Sequence, residues 1–260
     1  MRTTLYKIKR KIIRRLPIIK AYLYSLKKGN NKAQRKVVIF AQGRTGSTVL
    51  EDLIHSTGHF KKRGEILGHH GATIKYPLRF IKGAANIEPN ENFIFHLKIY
   101  HLTRDRKQEI DPVVFLNTLA EDGWQILYLR RENKLNHILS NLVAEKRGYF
   151  KFDDKKEKIT LNLDPQNTIQ AIKQRVNHEN EELKALNGLD YLPITYEDHL
   201  EQSDHHQDTI DKILNYLELQ PRVCKTSYKK VNRSTQRDII ENYEEIKALL
   251  SDAGYDEFLN

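Results

Sequence analysis

The run Gly43-Arg44-Thr45-Gly46-Ser47-Thr48 combines the residue types that hold an anion. Its two glycines permit positive φ and close approach of the backbone to a ligand. Arg44 brings a fixed positive charge, and Ser47 and Thr48 bring hydroxyl donors. Just before it, Lys36 to Phe40 is a short Val, Ile and Phe run, the mark of a buried strand. Just after it, Ser47 suits an N-cap, and Val49, Leu50, Leu53 and Ile54 fall at helical spacing, with Glu51 and Asp52 placed in the first turn. Strand, glycine turn and helix start together make an anion cradle, because first-turn N–H groups and the positive dipole end face the turn. The same pattern also describes an ordinary βα turn. The nucleotide pattern G-x-x-x-x-G-K-[ST] is absent, since no lysine precedes Ser47-Thr48, so a nucleoside triphosphatase is not the first reading.

A second constellation follows the apolar run Trp124 to Leu129, where Arg130 and Arg131 stand at the expected strand end. That position is the sheet edge at which open α/β folds bind nucleotides. A helix from Asn133 to Lys146 carries Ser140 about two turns in, and an arginine with a hydroxyl can hold a phosphate. Strand alternation lets one of the two arginines face the site, and Arg131 is the better placed. Three further residues could move protons or neutralise charge. Glu65 follows the basic triplet Lys61-Lys62-Arg63, which favours its ionised form; His96 and Lys98 share one face of an alternating strand, Phe93 to Tyr100. Each of the three also has a plain surface role open to it. A basic cluster, Lys229, Lys230 and Arg233, precedes a C-terminal helix from Gln236 to Leu250 and repeats the cradle logic.

Gly43 to Thr48 resembles the 5′-phosphosulfate loop of the sulfotransferase superfamily, and Leu-Arg-Arg-x-Asn-x-Leu-x-x-x-x-Ser from Leu129 to Ser140 resembles that family's 3′-phosphate motif, with looser spacing. The arginine at position 44 is similar to the bacterial carbohydrate branch, with its nodulation-factor and trehalose sulfotransferases. The resemblance implies a donor, 3′-phosphoadenosine 5′-phosphosulfate (PAPS), held by Gly43, Arg44, Thr45, Gly46, Ser47 and Thr48 and by Arg130 or Arg131 with Ser140, and closed over by Lys230 and Arg233. It implies Arg44 and Lys98 as charge stabilisers, Glu65 or His96 as the base, and no metal. It also implies a carbohydrate or glycolipid acceptor.

These residues need a scaffold. The chain has 260 residues, 39% hydrophobic and 9% aromatic, enough for one sizeable α/β core. The expected fold is a single domain, residues 36–260, with a central parallel sheet flanked by helices and a P-loop-like strand-loop-helix. Asp111-Pro112 opens one helix, Asp164-Pro165 opens a long polar one that Gly188 ends, and residues 68–92 read as loop that helps shape an acceptor pocket. Cys224 alone excludes a disulfide framework and suits a reducing, cytoplasmic compartment; His69-His70 and His205-His206 do not make a zinc pattern.

The net charge of +10 sits in residues 1–36, which hold thirteen basic and no acidic side chains; the rest carries 31 basic against 34 acidic. A near-neutral body argues against nucleic acid as partner. Residues 1–35 read as a basic amphipathic arm, with Leu5, Ile8, Ile12, Leu16, Ile19, Leu23 and Leu26 three or four apart and Pro17 as a break. Residues 1–28 suit peripheral docking on anionic lipid, or packing on the body with a solvated basic face. Two other functions stay open: a P-loop-like kinase of a small molecule, and a non-enzymatic polyanion- or membrane-binding protein.

Overall fold

The computed structural model describes residues 16–26, 34–68, 74–148, 159–226 and 235–259. Five strands, β1 (Lys36–Ala41), β2 (Phe60–Lys61), β3 (Asn92–Leu97), β4 (Trp124–Arg130) and β5 (Leu192–Thr195), form one all-parallel sheet in the order β2-β3-β1-β4-β5. Helices fill the connections. Residues 16–25 form α1, followed by α2 (Ser47–Ser56), α3 (Pro77–Asn86), α4 (Pro112–Glu121), α5 (Lys134–Arg147) and α6 (Pro165–Leu186). Then come α7 (Tyr196–His199), α8 (His206–Tyr216), α9 (Gln236–Ile239) and α10 (Tyr243–Asp252). The expected α/β fold with a central parallel sheet is present.

Parallel strands covered on both faces must be apolar on both, and β1 is. Val38 and Phe40 join Phe93, Phe95, Trp124 and Tyr128 under α1, α3 and α4; Val37 and Ile39 join Ile94, Leu127, Leu129 and Ile194 under α2 and α8. A third cluster packs α5 and α6 against α9 and α10 through Leu139, Val143, Ile172, Ile246 and Leu250. The helix after β1 thus lies on one face and the helix after β3 on the other. Their loops diverge at the strand C-termini and open a crevice there, the usual ligand position in such sheets.

Caps behave as the sequence implies. Asp111 accepts from the Val113 N–H (2.8 Å), Asn133 from Asn136 (2.8 Å) and Asp164 from Asn167 (2.8 Å). Several elements differ from the sequence expectation. Residues expected as loop contain α3, with Pro77 at its start and Gly83 in its middle. Gly83 is there because α1 crosses it: a Cβ would lie 1.6 Å from the Ala21 carbonyl oxygen. Residues 16–25 of the expected arm are therefore seated on the body, with Ala21 fully buried and Ile18 and Tyr22 against the first core cluster. The exposed side of α1 carries Leu16, Ile19, Leu23 and Leu26, between 52% and 70% exposed. Residues 1–15 lie outside the described residues. The expected C-terminal helix is broken into α9 and α10, because Ile240 turns extended to bridge Leu161. The expected strand Phe93–Tyr100 ends at Leu97, and a 3₁₀ turn, Ile99–His101, follows.

Candidate functional site

The loop leaving β1 is held from within. Thr45, fully buried, donates its hydroxyl to the Gln42 carbonyl (2.8 Å), so this hydroxyl stitches the loop together. Arg44 and Gly46 both take left-handed backbone, φ 72° and 95°. For Arg44 that conformation is strained, of the kind tolerated where a site over-determines the backbone. Gly43 is required by proximity: its N–H donates to the Tyr100 hydroxyl (3.1 Å), and a Cβ would lie 2.8 Å from that oxygen. Gly46 is the N-cap of α2, with no side-chain cap, and Ser47 is the first helical residue. Ser47 is therefore not the cap the sequence suggests, and the first-turn N–H groups face the loop.

Glu51 and Asp52 lie deeper in α2 than the first turn. Glu51 accepts from the N–H groups of Arg63 (2.9 Å) and Gly64 (2.8 Å), and Asp52 pairs with Lys62. Both carboxylates hold the segment that delivers Glu65. His96 belongs to this support as well. It shares Ile94's face of β3, is 3% exposed, and its Nε2 lies 3.3 Å from Glu51. The structure does not bring His96 to the crevice, because α2 covers the face that alternation left open.

Two segments distant in sequence converge on the loop. Arg131, 8% exposed, lies over the Tyr196 ring at 4.4 Å from its centroid, with Nη1 3.4 Å from the Arg44 carbonyl oxygen and Nε 3.7 Å from Glu197. Arg130 is turned away toward Glu132 (2.7 Å) and Glu179 (3.8 Å). Of the pair it is Arg131 that reaches the loop. From α5, Ser140 receives the Arg44 guanidinium through its hydroxyl (3.3 Å) and carbonyl (3.4 Å). Burial and then the Arg131 charge push the Arg44 guanidinium below its ordinary value. A half-buried Arg44 beside the Arg131 charge is a site an anion relieves.

A cavity of about 360 Å³ opens here. Gly43, Arg44, Ser47 and Thr48 line it from the loop, and Glu65, Lys98 and Tyr100 line it from the segments after β2 and β3. Glu65 bonds Lys98 (2.6 Å) and stands 3.5 Å from His101 Nε2. Burial opposes ionisation of Glu65, but the His101 and Lys98 contacts outweigh it and hold the carboxyl at about 2. Lys98 reaches the cavity because β3 has ended before it.

Residues the sequence did not single out complete the wall. Asn141 follows Ser140, and Arg175 comes from α6. Beneath the loop, His137 is fully buried, and its Nε2 lies 2.6 Å from the Gly43 carbonyl, so that nitrogen carries the proton and the ring is neutral. Burial first, then Arg175, pushes His137 well below the ordinary histidine value. Gln42 donates to Glu182 (3.2 Å), which also receives the Tyr128 hydroxyl (3.2 Å); burial raises Glu182 to about 8. Lys230 and Arg233 lie outside the described residues, as do His69 and His70.

Among the described residues no helix is long and apolar enough to cross a membrane, and no group of three His, Cys, Asp or Glu could hold a metal ion. No family model matches the sequence, and no curated protein matches it. Among solved structures the chain is similar to a sulfotransferase domain from the curacin biosynthetic pathway, at 11% identity and a TM-score of 0.45, over 86% of this chain and 99% of that one.

Proposed function

We propose that the chain is a sulfotransferase that moves the sulfuryl group of PAPS to a hydroxyl of a carbohydrate or glycolipid. The observation that carries this reading is the meeting of two motifs at Arg44, which lines the cavity. Arg131 and Ser140, 87 and 96 residues from Arg44, both contact it beside an uncapped helix N-terminus. The first-turn N–H groups of α2, Arg44, Ser47 and Thr48 would hold the 5′-phosphosulfate, and Arg131 with Ser140 the 3′-phosphate. In the reaction the acceptor oxygen bonds to sulfur as the bond from sulfur to the 5′-phosphate oxygen breaks. Adenosine 3′,5′-bisphosphate leaves with the charge, which Arg44 and Lys98 stabilise. Glu65 receives the hydroxyl proton. Its weak basicity suits a loose, in-line transfer in which the proton departs late.

The exposed apolar stripe of α1 and the basic residues 1–36 support peripheral docking on anionic lipid, which would bring the enzyme to a lipid-linked acceptor. Sedimentation with anionic and with neutral vesicles tests that: equal binding to both, or to neither, refutes it.

Thermal-shift titration with adenosine 3′,5′-bisphosphate, beside ATP with Mg²⁺, tests the donor assignment. A ligand at ~100 times its Kd adds about 2.7 kcal/mol to a native state, a shift of roughly 5–10 °C for a chain of this size. A response to ATP–Mg²⁺ alone would replace the reading with a small-molecule kinase.

A further inference from the structure

Arg175 is a charge that the donor assignment leaves unused. It projects from the middle of α6 into the cavity wall, largely buried, and burial is the first cause that lowers its guanidinium below the ordinary value. Among the described residues it makes no ion pair. Its side chain has one long contact, Nη1 to the Gln42 amide oxygen at 3.4 Å, which a neutral group could make as well.

The neighbouring charges do not answer it. Glu65, the carboxylate of the cavity, is already engaged by Lys98 at 2.6 Å and faces His101 at 3.5 Å. Glu182 is a buried carboxyl within electrostatic reach of Arg175, but burial raises it to about 8, which weakens it as a counter-charge at neutral pH. Glu179 is occupied by Lys134 at 2.7 Å and Arg130 at 3.8 Å. More positive charge gathers around Tyr100: Lys98 lies 5.6 Å and the Arg104 guanidinium 5.0 Å from its ring centroid. A largely buried cation without a partner is costly to a fold unless something else brings the anion. Arg44 contacts Ser140, and Arg131 reaches the Arg44 carbonyl, whereas Arg175 contacts Gln42 and lines the cavity together with Lys98 and Tyr100.

We infer that Arg175 binds an anionic substituent of the acceptor, a carboxylate, phosphate or sulfate ester, next to the hydroxyl that is sulfated. The acceptor class narrows accordingly from sugars in general to acidic ones, and this step rests on the transferase reading. A guanidinium reads such groups with two parallel N–H bonds, so Arg175 selects among acceptors while the loop and Arg131 serve the donor.

The test uses the full chain saturated with adenosine 3′,5′-bisphosphate and compares methyl glucuronide and inorganic sulfate with methyl glucoside and chloride at matched ionic strength. The wild type is expected to bind the two probe anions and to ignore the glucoside. Arg175→Gln, which removes the charge, is expected to lose about tenfold or more in affinity for them, the worth of one charge-assisted hydrogen bond. Its affinity for the bisphosphate stays unchanged, and Arg175→Lys retains part of the anion response. Equal binding of glucoside and glucuronide, or no response to either anion in the loaded protein, overturns the inference and leaves the donor site intact. An equal loss of bisphosphate affinity in Arg175→Gln also overturns it, assigning Arg175 to the donor. Absence of bisphosphate binding in the wild type removes the transferase reading itself, a distinct result read before any acceptor probe is added.

Discussion

Replacing Glu182 by Gln separates the fold's use of this carboxyl from any use of its charge. Both native contacts of Glu182 are to one oxygen, which accepts from Gln42 and from Tyr128 at 3.2 Å each. An amide oxygen can accept both, so Glu182→Gln imitates the protonated acid. Burial raises the folded pKa from 4.5 to about 8, so the folded state binds a proton that the unfolded state gives up. Stability from this group is full below about pH 4.5 and falls as pH rises, by about 1.4 kcal/mol per unit, until the folded group itself ionises near 8. The cumulative loss is on the order of 5 kcal/mol, a large share of the stability of an ordinary domain. Urea unfolding of both proteins between pH 4.5 and 8.5 isolates the effect, because every other titration cancels in the difference. The variant should gain steadily on the wild type as pH rises and lead by a few kcal/mol at pH 8. Parallel profiles, or a variant that is the weaker of the two at pH 8, would sink the assignment of a neutral Glu182.

Three other outcomes follow from the same geometry. Gly43→Ala should weaken bisphosphate binding by roughly tenfold or more by pushing Tyr100 off the loop, with little change in far-UV circular dichroism; unchanged affinity by calorimetry would contradict the close approach. Gly83→Ala should unseat α1 at a cost of about 1–3 kcal/mol or more and make residues 16–25 exchange amide protons rapidly; continued protection of Ala21 would refute the close helix crossing. Glu65 has a depressed pKa, so its stabilisation is present above about pH 4.5 and is lost as pH falls toward 2, and Glu65→Gln should flatten that acid limb. The same variant should lower turnover while leaving bisphosphate affinity intact, and a loss confined to affinity would argue against its place at the acceptor.

The parts of the site that could be read in the sequence are those where chemistry and local structure coincide. Lys36–Ala41, the glycines at 43 and 46, and the spacing from Arg131 to Ser140 each need a strand end or helix start that the apolar pattern announces. His96 was misplaced because alternation tells which residues share a face and not which face a helix will cover. Lys98 and Tyr100 reach the cavity only because the chain turns into a 3₁₀ segment after Leu97, which a run of apolar and aromatic residues conceals. Arg175 had no local signal at all: in a polar helix of 22 residues one arginine looks like any solvated charge until tertiary packing buries it. Gly83 and Pro77 read as loop punctuation, yet one permits a helix crossing and the other begins a helix.

The sheet order also sets a timetable for the newborn chain. β1 sits between β3 and β4, so its second neighbour begins at Trp124, far along the sequence. With synthesis at about 5–20 residues per second, roughly four to seventeen seconds pass on the ribosome between Ala41 and Trp124. During that interval α2 can shelter one face of β1, but the side awaiting β4 exposes the unpaired edge of Val37-Val38-Ile39-Phe40, a template for pairing with another chain. The strand that anchors the anion loop is thus paired on both edges only after β4 has been made.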